Sequence, residues 1–199
     1  MLVTDDRLLA GRDVVEVALA AVRGGVTCVQ LRLKQASPRE LAAVARALVA
    51  ALPVPVLVND RLDVAIAAGA AGAHLGPDDL PVRLARRVAP DGFILGASVG
   101  SEAEIENGAE ADYWGVGPWR ASPTKPDAGA SLGSEGFRAI VERSNGIPCV
   151  AIGGIGPDDV PLVLRAGGDG IAVVSGILAA ADPGAAAERF RDPLRVSAS

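Results

Sequence analysis

Residues 26–60 read VTCVQLRLKQASPRELAAVARALVAALPVPVLVND. The first part alternates as an extended chain does, with Val29, Leu31 and Leu33 on one face and Cys28, Gln30, Arg32 and Lys34 on the other. The middle is apolar at helical spacing, with Ser37 as N-cap, Pro38 at the first helical position and Glu40 three residues after the cap, the pattern of a capping box. The last part, VPVLVN, is extended and apolar again. A polar row on a strand is either a solvated outer face or a face turned into a barrel or cleft.

The same strand-then-helix grammar runs through the chain. Strands are expected near MLVT, VTCVQLR, VPVLVN, AGAHL, GFILGAS, DYWGVG, IPCVAI and DGIAVVS, and GPDDVPLVLRAGG reads as another capped helix with a Gly-Gly exit. Eight such units predict an α/β fold, a single-domain (β/α)8 TIM barrel over residues 1–199, compact at about 25 residues per unit. A doubly wound open sheet is the rival. The long connection lies between DYWGVG and SEGFRAIVER. In a parallel barrel the outer side of each strand is covered by helices, so the polar row of the second strand is expected to face inward and run toward the mouth.

Bulk properties narrow the function. A chain of 199 residues buries roughly 70% of its unfolded surface, and its apolar runs break well short of the ~20 residues of a membrane span. The opening MLVTDDRLLAGRD has acidic residues where a secretory signal has a basic flank, so the expected setting is the cytoplasm. A net charge of −5 with scattered basic residues argues against nucleic-acid binding. Small molecules are the expected partners, and a homo-oligomer is compatible with the sequence. Cys28 and Cys149 sit in apolar segments and read as small buried hydrophobes. Of 19 basic residues only Lys34 and Lys125 are lysines; Gln occurs only at 30 and 35, Thr only at 4, 27 and 124, and His only at 74. A compact ammonium suits a phosphate oxygen where a planar guanidinium was not chosen.

Polar residues also close the other strands: Asn59 and Asp60, Asp78 and Asp79, Ser98, Gly153 and Gly154, and Ser175. Each alone fits a helix cap or a tight turn; their coincidence on one rim favours a site. Arg32, Lys34 and Lys125 beside Asp60 and Asp79 suggest a polyphosphate whose charge is shared with a bound Mg²⁺. Gly153, Gly154 and Ser175 suggest a second, monophosphate site on backbone amides of the last two loops.

The segments LVTD, GGVTCVQLRLK, VNDRLDVAIAAGAAGAHLGPDDLP, EADYWGVGP, PTKPD, VAIGGI and IAVVSGI, in this order across nearly the whole chain, resemble thiamine-phosphate synthase. The resemblance implies a transferase that joins 4-amino-5-hydroxymethyl-2-methylpyrimidine diphosphate to 4-methyl-5-(2-hydroxyethyl)thiazole phosphate with release of pyrophosphate, through a pyrimidine carbocation captured by the thiazole nitrogen. By position it implies Gln30, Arg32, Lys34, Asn59, Ser98 and Lys125 at the pyrimidine diphosphate, with Arg32, Lys34 and Lys125 as catalytic cations. Asp60 and Asp79 fall on its Mg²⁺ ligands, and Ser122, Thr124, Gly154 and Ser175 on its thiazole-phosphate site, beside Gly153. The family commonly has Gln at Pro77, His at Gly100 and an aromatic-Pro pair at Arg120 and Ala121. His74 is expected to make a structural hydrogen bond, since ionisation of the diphosphate calls for no base. A thiazole tautomerase-like protein would need a histidine at Pro118, and a non-catalytic thiazole-phosphate-binding paralogue would have lost the diphosphate cations and carboxylates. The 117–133 connection is expected to act as a lid that brings Lys125 to the leaving group.

Overall fold

The computed structural model describes residues 1–121 and 129–196. Its strands are β1 (Leu2–Val3), β2 (Val29–Leu31), β3 (Val56–Asn59), β4 (Gly72–Leu75), β5 (Ile94–Val99), β6 (Tyr113–Val116), β7 (Cys149–Ile152) and β8 (Gly170–Ala172). The helices are α1 (Asp6–Leu9), α2 (Val14–Arg23), α3 (Pro38–Ala51), α4 (Leu62–Ala68), α5 (Val82–Arg86), α6 (Ile105–Gly108), α7 (Gly133–Val141), α8 (Val160–Arg165), α9 (Ser175–Leu178) and α10 (Pro183–Val196). The strands pair in parallel and in chain order, and a parallel bridge from Leu2 to Val173 closes the sheet into a barrel. The open-sheet rival is thereby set aside.

Alternation along each strand separates two layers. Val29, Leu31, Val56, Val58, Leu75, Leu95 and Trp114 pack outward into one buried cluster with helix residues such as Ala18, Ala45, Leu48 and Val163. Each fully buried aliphatic side chain of this layer contributes roughly 1.5–3 kcal/mol. The intervening residues Gln30, Asn59, His74, Ser98 and Gly115 line a cavity inside the barrel. The polar row of β2 is thus an inner face.

Local chemistry sets where the elements begin and end. Ser37 and Glu40 form the expected capping box of α3, Ser37 N–H donating to Glu40 Oε2 at 2.8 Å and Glu40 N–H to Ser37 Oγ at 3.3 Å. GPDDVPL opens instead as a 3-10 turn, Pro157–Asp159, which leads into α8, with Gly156 N–H on Asp159 Oδ2 at 2.8 Å. β2 is shorter than its alternation suggests: it stops at Leu31, because Arg32 N–H donates to Thr4 Oγ1 at 2.8 Å and Thr4 Oγ1 returns a bond to Arg32 O at 3.2 Å. A hydroxyl replaces the ladder there, and the backbone turns at Lys34 and Gln35. β8 ends at Ala172 rather than Ser175; Ser175 is the first residue of α9, and Val174 holds the cap position. Among the described residues no helix is long and apolar enough to cross a membrane.

The connection after β6 is pinned at its stem. A cis Gly117–Pro118 peptide leads to Trp119, whose N–H donates to Ile152 O at 2.8 Å, and Arg120 N–H donates to Gly153 O at 2.9 Å. Buried Trp119 meets Phe137 of α7 edge-on, centroids 5.6 Å apart, and the chain returns through Leu132 N–H to Pro118 O at 2.8 Å. Phe137→Ala is expected to lower unfolding free energy by about 3–5 kcal/mol through the cavity it leaves, read by urea denaturation; a loss below about 1 kcal/mol would mean that this aromatic pair does not anchor the stem.

Candidate functional site

The cavity at the C-terminal ends of the strands measures about 350 Å³. It gathers Gln30, Arg32, Lys34, Asn59, Asp60, Asp79, Ser98, Gly153, Gly154 and Ser175 on one rim, from the ends of β2, β3, β4, β5 and β7 and the first turn of α9. Ser122, Thr124 and Lys125 lie outside the described residues, as does the tip of the 117–133 connection.

One side of the rim is a charge network. Gln30 Nε2 donates to Asn59 Oδ1 at 2.8 Å, tying β2 to β3 and leaving the Asn59 NH2 as a donor. Asp60 follows in the left-handed region at φ 64°, its N–H on His74 O at 2.8 Å, a conformation that Asp tolerates better than most residues. Its carboxylate pairs with the Lys34 ammonium. Asp79 Oδ2 accepts from Gly76 N–H at 2.7 Å. Burial pushes the Asp79 carboxyl above its ordinary range, and the adjoining Asp60 carboxylate pushes it the same way against the pull of the Gly76 amide and Lys34. The Asp60–Asp79 side therefore carries more negative charge than Lys34 offsets.

This arrangement fits a hard divalent cation. Two adjoining carboxylates, one with a raised pKa, would each gain from a metal between them, and Mg²⁺ commonly takes one or two carboxylates with substrate phosphates completing its shell. Among the described residues no group of three or more His, Cys, Asp or Glu forms a closed cage. The remaining ligands would have to come from a bound anion and water.

Arg32 is held from behind. Its Nη1 donates to Asp5 Oδ2 at 2.9 Å, while the buried Asp5 uses Oδ1 to cap α1 at Arg7 and Leu8. Thr4 and Asp5 were not among the residues singled out by sequence, although Thr4 is one of three threonines. Glu104 also lines the cavity and accepts from Gly100 N–H; nothing in its sequence surroundings marks it. His74 makes the expected structural contacts, Nδ1 to the Tyr113 hydroxyl at 2.8 Å and Nε2 to Ser98 Oγ at 3.0 Å. Tyr113, the sole tyrosine, was missed; its rarity was the available signal.

The opposite side is built from backbone. Gly153 and Gly154 have φ of 92° and 66°, and a Cβ on either would come within 2.9 Å of Pro118 or Arg120. Only glycine allows this loop and the 117–121 stem to approach so closely. Arg120 pairs with buried Asp159; although burial alone would raise the Asp159 carboxyl, the Arg120 guanidinium and the Gly156 amide hold it below its ordinary range. Cys28 and Cys149 are free thiols pushed up by burial, a poor state for nucleophiles.

The chain is similar to characterised proteins over nearly its whole length. A family model described as thiamine monophosphate synthase matches residues 1–177. Thiamine-phosphate synthase of Albidiferax ferrireducens is 48% identical over 195 residues, 96% of this chain and 89% of that protein. That of Azorhizobium caulinodans is 46% identical, covering 98% of this chain and 94% of its own. The solved thiamine phosphate pyrophosphorylase from Pyrococcus furiosus superposes with a TM-score of 0.86 at 38% identity, covering 100% of this chain and 96% of that one. A 3-hexulose-6-phosphate synthase at 20% identity and TM-score 0.71 shares the barrel alone.

The Asp79 shift has a testable sign. The folded protein keeps the Asp79 proton to higher pH than the unfolded chain, so stability falls as pH rises from the ordinary aspartate value, near 4, through the raised folded one. Asp79→Asn keeps an acceptor for Gly76 and never ionises. Denaturation without ligands across this range is expected to show the variant more stable than the parent at pH 7, with the gap closing below about pH 4. A variant less stable at every pH would contradict the crowding of the two carboxylates.

Proposed function

Because the chain belongs to the thiamine monophosphate synthase family, we propose that it is a transferase joining 4-amino-5-hydroxymethyl-2-methylpyrimidine diphosphate to 4-methyl-5-(2-hydroxyethyl)thiazole phosphate, giving thiamine phosphate and pyrophosphate. The observation that carries this reading is one cavity with cations and carboxylates on one side and a glycine loop with Ser175 on the other. Two anions of different size find different partners there.

In this reading Arg32, Lys34, Asn59 and Ser98 hold the diphosphate. Asp60 and Asp79 would hold Mg²⁺, which when bound supplies positive charge to the leaving group. Lys34, which pairs with Asp60, would exchange that carboxylate for a phosphate oxygen. The C–O bond to the pyrimidine methylene breaks with its electron pair leaving on the diphosphate, and the thiazole nitrogen donates its lone pair to form the C–N bond. The amides of Gly153 and Gly154, with Ser175, orient the thiazole phosphate. No proton has to move in the bond-breaking step, so fixed charges aimed at the departing oxygen carry the rate. The cavity wall at Pro118 agrees with this, because a proline ring there cannot shuttle the proton that a tautomerase requires. The proposed setting is the cytoplasm, with small molecules as partners.

The test is direct: purified protein, both substrates and Mg²⁺, with thiamine phosphate and pyrophosphate measured together. Equal yields of the two products are expected. Asp60→Asn and Asp79→Asn are each expected to lose about 100-fold or more in turnover, since several kcal/mol of charge stabilisation is at stake. Lys34→Ala is expected to raise KM for the pyrimidine diphosphate about 10-fold, the worth of a charge-assisted hydrogen bond, and to leave KM for the thiazole phosphate unchanged. Equal changes in both would remove the division of the cavity into two sites, and near-normal turnover of both Asn variants at limiting Mg²⁺ would remove the metal assignment.

A further inference from the structure

Three side chains form a line from the barrel interior to the cavity. Tyr113 of β6 is buried, with its ring lying over Gly96, where a Cβ would come within 2.3 Å of it. His74 of β4 lies over Gly115, where a Cβ would come within 2.9 Å of the imidazole Cε1. Ser98 of β5 comes last and lines the cavity. The contacts run Tyr113 hydroxyl to His74 Nδ1 at 2.8 Å and His74 Nε2 to Ser98 Oγ at 3.0 Å. Register places Asn59, His74, Gly96 and Tyr113 in one row across four strands, so the glycine at 96 is what lets phenol and imidazole meet across β5.

Proton positions follow from what each group needs. Burial raises the Tyr113 pKa, so the phenol keeps its proton. Among the described residues the hydroxyl hydrogen-bonds only to His74, and a buried hydroxyl proton left without an acceptor is costly. Tyr113 therefore donates and Nδ1 accepts. A neutral imidazole that accepts at Nδ1 carries its proton on Nε2 and donates there. Ser98 Oγ receives that bond, and its own proton is left to point along the side that lines the cavity. With the opposite tautomer, Ser98 would spend its proton on the imidazole and present lone pairs to an incoming anion.

We infer that Tyr113 is a positioning residue: acting through His74, it turns the Ser98 hydroxyl into a committed hydrogen-bond donor for the diphosphate. The inference rests on the reading above only in identifying that anion. A hydroxyl already fixed as donor loses no orientational freedom when the anion arrives, and the bond is worth most in a site that excludes water.

The chain has one histidine, so histidine-selective ¹⁵N labelling of the full protein gives a spectrum of a single imidazole. The expected result is a pyridine-like Nδ1 and a pyrrole-like Nε2, both without ligand and with inorganic pyrophosphate as probe. Tyr113→Phe is expected to shift protonation toward Nδ1 and to raise KM for the pyrimidine diphosphate about 10-fold, the value of one hydrogen bond, with KM for the thiazole phosphate unchanged. Ser98→Ala is expected to give the same loss, and the double variant no more than about 2-fold beyond either alone, as residues acting in one line do not add. A proton on Nδ1, or on both nitrogens, in the unaltered protein would overturn the inference, as would fully additive losses. The spectrum needs no turnover and no variant to fold. Failure of the coupling assay would sink the substrate reading, while the tautomer would still decide the relay.

Discussion

The bridge from Leu2 to Val173 closes eight parallel strands into a barrel whose outer side chains pack against helices and whose inner ones face one another. Every second residue must then fill the barrel or open into its mouth, while the residues between them join the aliphatic layer beneath the helices. Val29 and Leu31 go one way and Gln30 the other. The same division sends Asn59, His74 and Ser98 to the inside. A one-residue slip in any of these strands would bury the polar row under helices and put aliphatics at the mouth.

Convergence of polar groups creates an electrostatic problem that is met in part by internal ion pairs. Arg32 is held by Asp5 and Lys34 by Asp60. Asp5 is more buried than Asp60 and is engaged twice, at Arg32 and at the start of α1. Arg32 is thus the more enclosed of the two cations, and the Lys34 side chain is half open to solvent. Asp79 is left crowded against Asp60, a local excess of negative charge that a divalent ion would relieve. On the opposite wall Gly153 and Gly154 lie close against the 117–121 stem.

Much of this was legible along the chain. All eight strand segments, the capped α3 and the inward polar row follow from alternation and capping residues that act over a few positions. The scarcity of Lys, Gln and His pointed to Lys34, Gln30 and His74, all of which line the cavity. Less legible were features whose cause lies far away in sequence. The end of β2 at Leu31 depends on the Thr4 hydroxyl, 28 residues earlier than Arg32. Tyr113 reads as an ordinary strand aromatic until register sets it opposite Gly96 and within reach of His74. The role of Asp5 likewise exists only once β1 lies beside β2. Ser175 reads along the chain as the end of the last strand, but β8 stops at Ala172 and Ser175 opens α9.

The central claim is that the cavity is a diphosphate site completed by a cation at Asp60 and Asp79, with Lys34 changing partner. Calorimetric titration of inorganic pyrophosphate into the unaltered protein, with and without Mg²⁺, tests it most directly, because ligands that bind together strengthen each other by the same factor in either order. The account predicts that Mg²⁺ tightens pyrophosphate binding by about 10-fold or more, and that pyrophosphate tightens Mg²⁺ binding equally. Equal pyrophosphate affinity with and without Mg²⁺ would contradict it.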